Sequence, residues 1–240
     1  EEYTGWSRDD GILVSWGNNN LARTSVGSHL PFPLKITVPW AHMAAEYDFT
    51  KTPYVQPVDV DYIVLRGDYP TRSPGKITVN TDYAIPGPVN PDPDPVNPTL
   101  ELIRFESFSG SDKELTIDDF EENATAHTKL LTTPAPEVGD TLTFYYNGKP
   151  VSTPPYVVAT GDGPGKDISI IIPWDDIKLT PVASELPLHY TLTRTGFNNH
   201  QESERTYIDV VVERVDLPEI TFPPNPIRNI VNCSHLLQKG

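Results

Sequence analysis

Disulfides within this chain are excluded, because Cys233 is the single cysteine among 240 residues. Standing alone, it reads as a small buried apolar residue rather than a reactive thiol. Apolar residues are scarce at 37%, and no run of them approaches the ~18 that a membrane-crossing helix needs, so no membrane insertion is expected. Glu1 and Glu2 begin no signal peptide, and any export signal is read as lying upstream. Positive charge is also short: 18 basic residues against 33 acidic ones give a net charge of -15. Such a surface repels phosphate backbones, so nucleic acid is not an expected partner.

Recognisable catalytic signatures are missing as well. The chain has no G-x-S-x-G elbow, no phosphate-binding loop and no dinucleotide fingerprint. Its six histidines, at 29, 42, 127, 189, 200 and 235, are scattered and show no zinc-ligand spacing. Carboxylates are plentiful, so a glycosidase-type pair depends on spatial arrangement that spacing leaves open. The chain is read as a non-enzyme.

Proline is what the chain has in excess, 26 residues against 15 glycines. At that density long helices are disfavoured, since each proline removes a donor and clashes with the preceding turn. Short strands joined by proline-rich corners fit better, which predicts an all-β chain.

An internal repeat carries the architecture. "ILVSWG" at 12–17 matches "LTFYYNG" at 142–148, and "ITVPW" at 36–40 matches "IIIPW" at 170–174. "VDYIVLR" at 60–66 matches "LHYTLTR" at 188–194, and "ITVNTDY" at 77–83 matches "IDVVVER" at 208–214. "IPGPVNP" at 85–91 matches "ITFPPNP" at 220–226. Five blocks keep one order at a spacing of roughly 130 residues. The second copy has two further strand candidates in front, "LELIRFESF" at 100–108 and "ATAHTKLL" at 124–131, around a short capped turn. The first copy has no room for them. Its open sheet edge is therefore expected to be covered by a neighbouring chain or to be poorly ordered.

In each copy the Pro-Trp step ends a strand, because proline has no N–H for the ladder. "DISIII" at 167–172, almost continuously apolar, is expected in the middle of a sheet, with Trp40 and Trp174 as buried structural indoles and "DDI" after Trp174 as a short helical turn with Ile177 facing inward. Tyr62 and Tyr190 open the following strand after "VDVD" and "LPLH", a pattern similar to the tyrosine corner of immunoglobulin-like sandwiches.

Together these features resemble the tandem bacterial immunoglobulin-like repeats of large surface or secreted proteins, adhesins among them. Bacterial surface modules often lack disulfides, which suits the lone cysteine. The resemblance implies two Greek-key β-sandwich modules in tandem, the first incomplete at its N-terminus. It divides the chain into a partial module at 1–85, a Pro-rich linker at 86–98, a complete module at 99–216 and an exit segment at 217–240. The linker holds six prolines in thirteen residues and is expected to form a semi-rigid polyproline II spacer.

Three functional readings follow. As a stalk, the repeats set length and project a binding domain from an extracellular or bacterial cell-surface site, with neighbouring modules of the same polypeptide as partners. As a binding module for a host or cell-surface glycan or protein, the chain would use Tyr54, Tyr69, Tyr156 and Phe197, which could equally pin loops to the core. As an accessory arm, it would serve a larger enzyme or toxin. No cofactor is expected, calcium aside. Asp162 and Asp167 in "GDGPGKD" and Asp118 and Asp119 in "IDDFEEN" are its candidate ligands, although the D-x-D-x-D-G series and distal glutamate are missing. A glycine-proline turn and a helix-dipole preference account for the same residues.

Overall fold

The computed structural model describes residues 4–213. The exit segment at 217–240, with Cys233 and the 220–226 repeat block, lies outside the described residues.

The first half of the chain forms one six-stranded sheet. Its strands are β1 (Gly11–Trp16), β2 (Asn19–Asn20), β3 (Thr24–Ser25), β4 (Gln56–Arg66), β5 (Tyr69–Arg72) and β6 (Ile77–Thr81), with the short helix α1 (Trp40–Ala45) between β3 and β4. The remaining strands lie within residues 104–211. There β7 (Arg104–Glu106), β9 (Ala124–Lys129) and β13 (Asp167–Ile172) make a three-stranded sheet in the order β13-β9-β7. A seven-stranded sheet faces it, formed by β8 (Glu114–Leu115), β10 (Thr141–Tyr146), β11 (Lys149–Pro150), β12 (Tyr156–Val157), β14 (Val182–Thr193), β15 (Gln201–Glu202) and β16 (Thr206–Val211). Helix α2 (Trp174–Ile177) follows β13. The described residues are thus all-β, with two very short α-helices and two 3-10 turns (Val26–Ser28 and Ile117–Asp119). Among the described residues, no helix is long and apolar enough to cross a membrane.

Alternation explains why these segments become strands. In β10 the pattern places Leu142, Phe144 and Tyr146 inward, and in β14 Leu186, Leu188, Tyr190 and Leu192. From the facing sheet come Phe105, Ala124, Ala126, Ile168, Ile170 and Ile172, and both faces merge into one core. Between β10 and β11, Asn147 and Gly148 take φ of 48° and 72°, the left-handed values that a two-residue hairpin turn requires.

Two strand pairs, one in each half, share the same register. Ile12 pairs with Val64, Val14 with Tyr62 and Trp16 with Val60; in the second half Leu142 pairs with Leu192, Phe144 with Tyr190 and Tyr146 with Leu188. The hairpin partners Trp16↔Asn19 and Tyr146↔Lys149 coincide too. One alignment from sequence needs a shift of two residues. Val58 pairs with Val79 where Leu186 pairs with Ile208, so Val79, not Ile77, takes the place of Ile208. A two-residue slip preserves which face each side chain occupies, so apolar pattern alone does not resolve it.

Three expectations are corrected. First, β13 is an edge strand, not a central one: Ile168, Ile170 and Ile172 are buried but Ile171 is 52% exposed. Thr153 covers part of that edge, its hydroxyl donating to the Ile171 carbonyl at 2.7 Å. Second, the two indoles are half-buried rather than enclosed, although the expected short helical turn after Pro-Trp does form with Ile177 inward. Pro39 and Pro173 hold the N-cap position with nearly identical backbone angles, (−63°, 145°) and (−65°, 148°), and each carbonyl accepts from the residues three and four ahead. Both indoles are half-buried, edge-on to Tyr83 and Phe120 respectively, and Ile177 supplies the fully buried contact. Third, Tyr190 is no corner residue. It sits mid-strand, 2% exposed, with its ring 5.7 Å from that of Phe144, and burial pushes its phenol up to about 12.

His189 on the other side of β14 is also buried, stacked on Tyr145 at 5.1 Å with Glu202 at 4.0 Å. Burial lowers its pKa, Arg205 adds to that, and Glu202 opposes both. The folded chain therefore resists a proton that the unfolded chain takes up freely below the usual 6.5. Stability is expected to fall as pH drops through 6.5, and His189→Gln should flatten that part of a urea-midpoint-versus-pH curve.

Candidate functional site

The residues singled out from sequence do not converge. Asp162 accepts hydrogen bonds from Lys166 Nζ and the Tyr156 hydroxyl (both 2.5 Å) and from Ala159 N–H at 2.9 Å. In that order these donors hold its carboxyl down to about 2. Tyr156 is thereby tied to the same turn. Asp167 is an exposed partner of Lys129 at 3.6 Å. Asp119 is fully buried; burial raises its pKa, but donation from the Thr116 and Ser109 backbone N–H groups outweighs this and leaves it lowered. With Thr116 it forms a capping box, and the Asp118 N–H donates to the Thr116 hydroxyl. Among the described residues no group of three or more His, Cys, Asp or Glu gathers as metal ligands would. Tyr69 stands 82% exposed on β5.

Tyr54 and Phe197 do meet, and where they meet is informative. Their rings meet tilted at 4.3 Å across the junction between the two halves, and the Arg194 guanidinium lies 5.3 Å over Phe197. Beside them Asn198 Nδ2 donates to the Asp82 carboxylate at 2.6 Å. Asn199 Nδ2 donates to the carbonyls of Asp82 and Ala84, both at 3.0 Å. Gln201 follows, fully buried. Its amide donates to the carbonyls of Pro86 (2.5 Å) and Pro88 (2.8 Å), and its oxygen accepts from Asn97. A bridge between Val96 and Glu202 then adds the linker to the free side of β15.

The linker is accordingly not a polyproline II spacer. Its backbone bends through residues 91–95, and the reason is local. Asn90, Asp92, Asp94 and Asn97 each precede a residue whose successor's N–H they capture: Asp92, Asp94, Val96 and Thr99 donate to them at 2.9–3.2 Å. These are Asx turns built on an Asx-Pro-x repeat, in which proline presets φ and the side chain closes the bend. Asn90 Nδ2 ties the bends together through the carbonyls of Asp94 and Val96. Gly87, at φ +87°, lets the chain pass Leu192 and Leu131, where a Cβ would come within 2.9 and 3.1 Å.

Reading the sequence missed Gln201 and Asn199, whose partners lie over a hundred residues away. It could have found the Asx-Pro spacing. What this junction offers chemically is a dense set of amide-to-carbonyl hydrogen bonds, almost all satisfied within the chain. A groove of about 480 Å³ opens beside it, lined by Trp40, Tyr83, Asp82, Asp94 and Asn198.

Another repeated feature also escaped notice. Asp10 and Asp140, each 1% exposed, receive bidentate donation from Arg66 and Arg194 and cap the N–H of Ser7 and Glu137. Comparison with protein-family models, with curated proteins and with solved structures finds no match to this chain.

Proposed function

We propose that this chain is a non-catalytic structural segment of a larger bacterial surface or secreted protein, built from immunoglobulin-like modules in tandem, and that it holds a binding unit at a set distance. The observation that carries this reading is the junction. A flexible tether has no use for a fully buried glutamine that donates to two linker carbonyls and accepts from Asn97, whereas a spacer that must transmit position does. The acidic balance of -15 suits a long exposed protein that stays apart from its neighbours. Binding through the four aromatic candidates has less support, since Tyr54 and Phe197 cover each other and Tyr156 is held by Asp162.

Distance measurement between the halves tests the proposal. Spin labels at Asp68→Cys and Asp112→Cys, with Cys233→Ser, should give one narrow distance distribution. Gln201→Leu leaves the Pro86 and Pro88 carbonyls without their donor, at about 1–3 kcal/mol each, and should broaden that distribution while both halves stay folded. A parent distribution as wide as the variant's would remove the basis for a rigid spacer.

A further inference from the structure

The two halves can be compared position by position, and the comparison exposes an unfilled face. In the second half Tyr190 and Ile208 are 2% and 1% exposed; their counterparts Tyr62 and Val79 are 43% and 37% exposed. The difference lies in what covers them. Leu100 and Leu130, from the segment that leads into the second half, lie with Tyr190 and Leu192 around one small enclosed space. At the matching place in the first half, Tyr62 and Val64 line an open groove of about 620 Å³ with Thr71 and Tyr69.

The backbone tells the same story. Strand β13 exists because β9 pairs with it over six residues, and β7 pairs with β9 in turn. Residues 34–38 keep the same alternation, with Leu34, Ile36 and Val38 half-buried and Lys35 and Thr37 exposed, yet they form no strand. Among the described residues nothing pairs with them. A β-capable run without a strand partner, and a sheet face that buries Ile12, Trp16 and Val58 but leaves Tyr62 and Val79 partly exposed where their counterparts are covered, together make an incomplete sandwich.

We infer that this open face is a strand-acceptor site. Its occupant is a separate segment of two antiparallel strands, the inner one running antiparallel to residues 34–38. That inner strand carries small residues at alternate positions, as β9 does with Ala124, Ala126 and Thr128. Main-chain hydrogen bonds to residues 34–38 give the pairing its strength. The alternate pockets over Tyr62 and Val64 select the partner by size. This inference rests on the duplicated registers and stands apart from the spacer reading.

A peptide spanning residues 100–131 is the probe, added to the full chain and followed by amide hydrogen exchange. Expected is a rise in protection of about 10-fold or more at residues 34–38 and 77–81. A peptide carrying Ala126→Glu should not produce it, nor should a Tyr62→Lys chain that keeps its circular dichroism and melting temperature. No protection at about 1 mM peptide, weaker than any useful affinity, overturns the inference. So does protection confined to residues 168–172, where the peptide would merely replace β9. Protection already present without peptide, rising with chain concentration, overturns it too, because the occupant would then be a second copy.

Discussion

Asp140→Ala is expected to destabilise the second half by about 3–5 kcal/mol, the cost of stranding one partner of a buried ion pair. Asp140 is 1% exposed and Arg194 is 16% exposed at its side chain, so water cannot replace the two hydrogen bonds that are lost. The Glu137 N–H also loses its acceptor. Glu137 retains a contact to the guanidinium at 2.6 Å but is itself largely exposed, so it compensates in part. The same substitution in the first half is a built-in comparison. Asp10 is as buried as Asp140, but the Arg66 side chain is 62% exposed, so solvent takes over much of its hydrogen bonding. Asp10→Ala should therefore cost about 1–2 kcal/mol, mostly through the uncapped Ser7 N–H. Urea unfolding of each variant checks the ordering. Equal losses at the two sites would mean that burial of the arginine does not set the strength of this pair.

Tyr190→Ala is expected to cost about 3–5 kcal/mol, in the range of other large aromatic deletions from a packed core. Its ring fills space between the two sheets beside Phe144, and the facing strands cannot collapse into the gap without breaking their ladders. Tyr62→Ala, at the matching position, should cost under about 1 kcal/mol, because 43% of Tyr62 already faces solvent and, among the described residues, the first half has one sheet only. A large loss for Tyr62→Ala would show that the first half has a closed core, and the strand-acceptor inference would fall with it. Bound peptide should reverse the comparison: once the groove is covered, Tyr62→Ala becomes costly.

These pairs of positions also show where reading the sequence succeeds and where it stops. "ILVSWG" and "LTFYYNG" announce the same strand and hairpin, because alternation and turn residues act within a few positions of each other. Their pairing with 60–66 and 188–194 follows the same local logic, and both ladders form in matching register. "ITVPW" and "IIIPW" look equally alike, yet one is a strand and the other is not. Whether an extended run joins a sheet depends on a partner that can accept its backbone hydrogen bonds, and the second half alone has β9. The same dependence put β13 at an edge. Its apolar run reads as central because isoleucine suits any strand, while exposure of Ile171 is settled only by what lies beyond it.

For the junction, the local half was legible and the distant half was not. Asx-Pro-x at 90, 92, 94 and 97 specifies its bends from neighbours two residues apart. That those bends fold back onto β15, instead of holding the halves apart, was decided by Gln201 and Asn199. A buried amide has no sequence signature, because its partners are main-chain carbonyls available at every residue and chosen only by proximity. By itself the sequence determined the β class, the two matching strand pairs and the turns, all of which arise from contacts near in the chain. Tertiary structure alone decided which faces close and how the halves meet, since both depend on segments brought together from far along the chain.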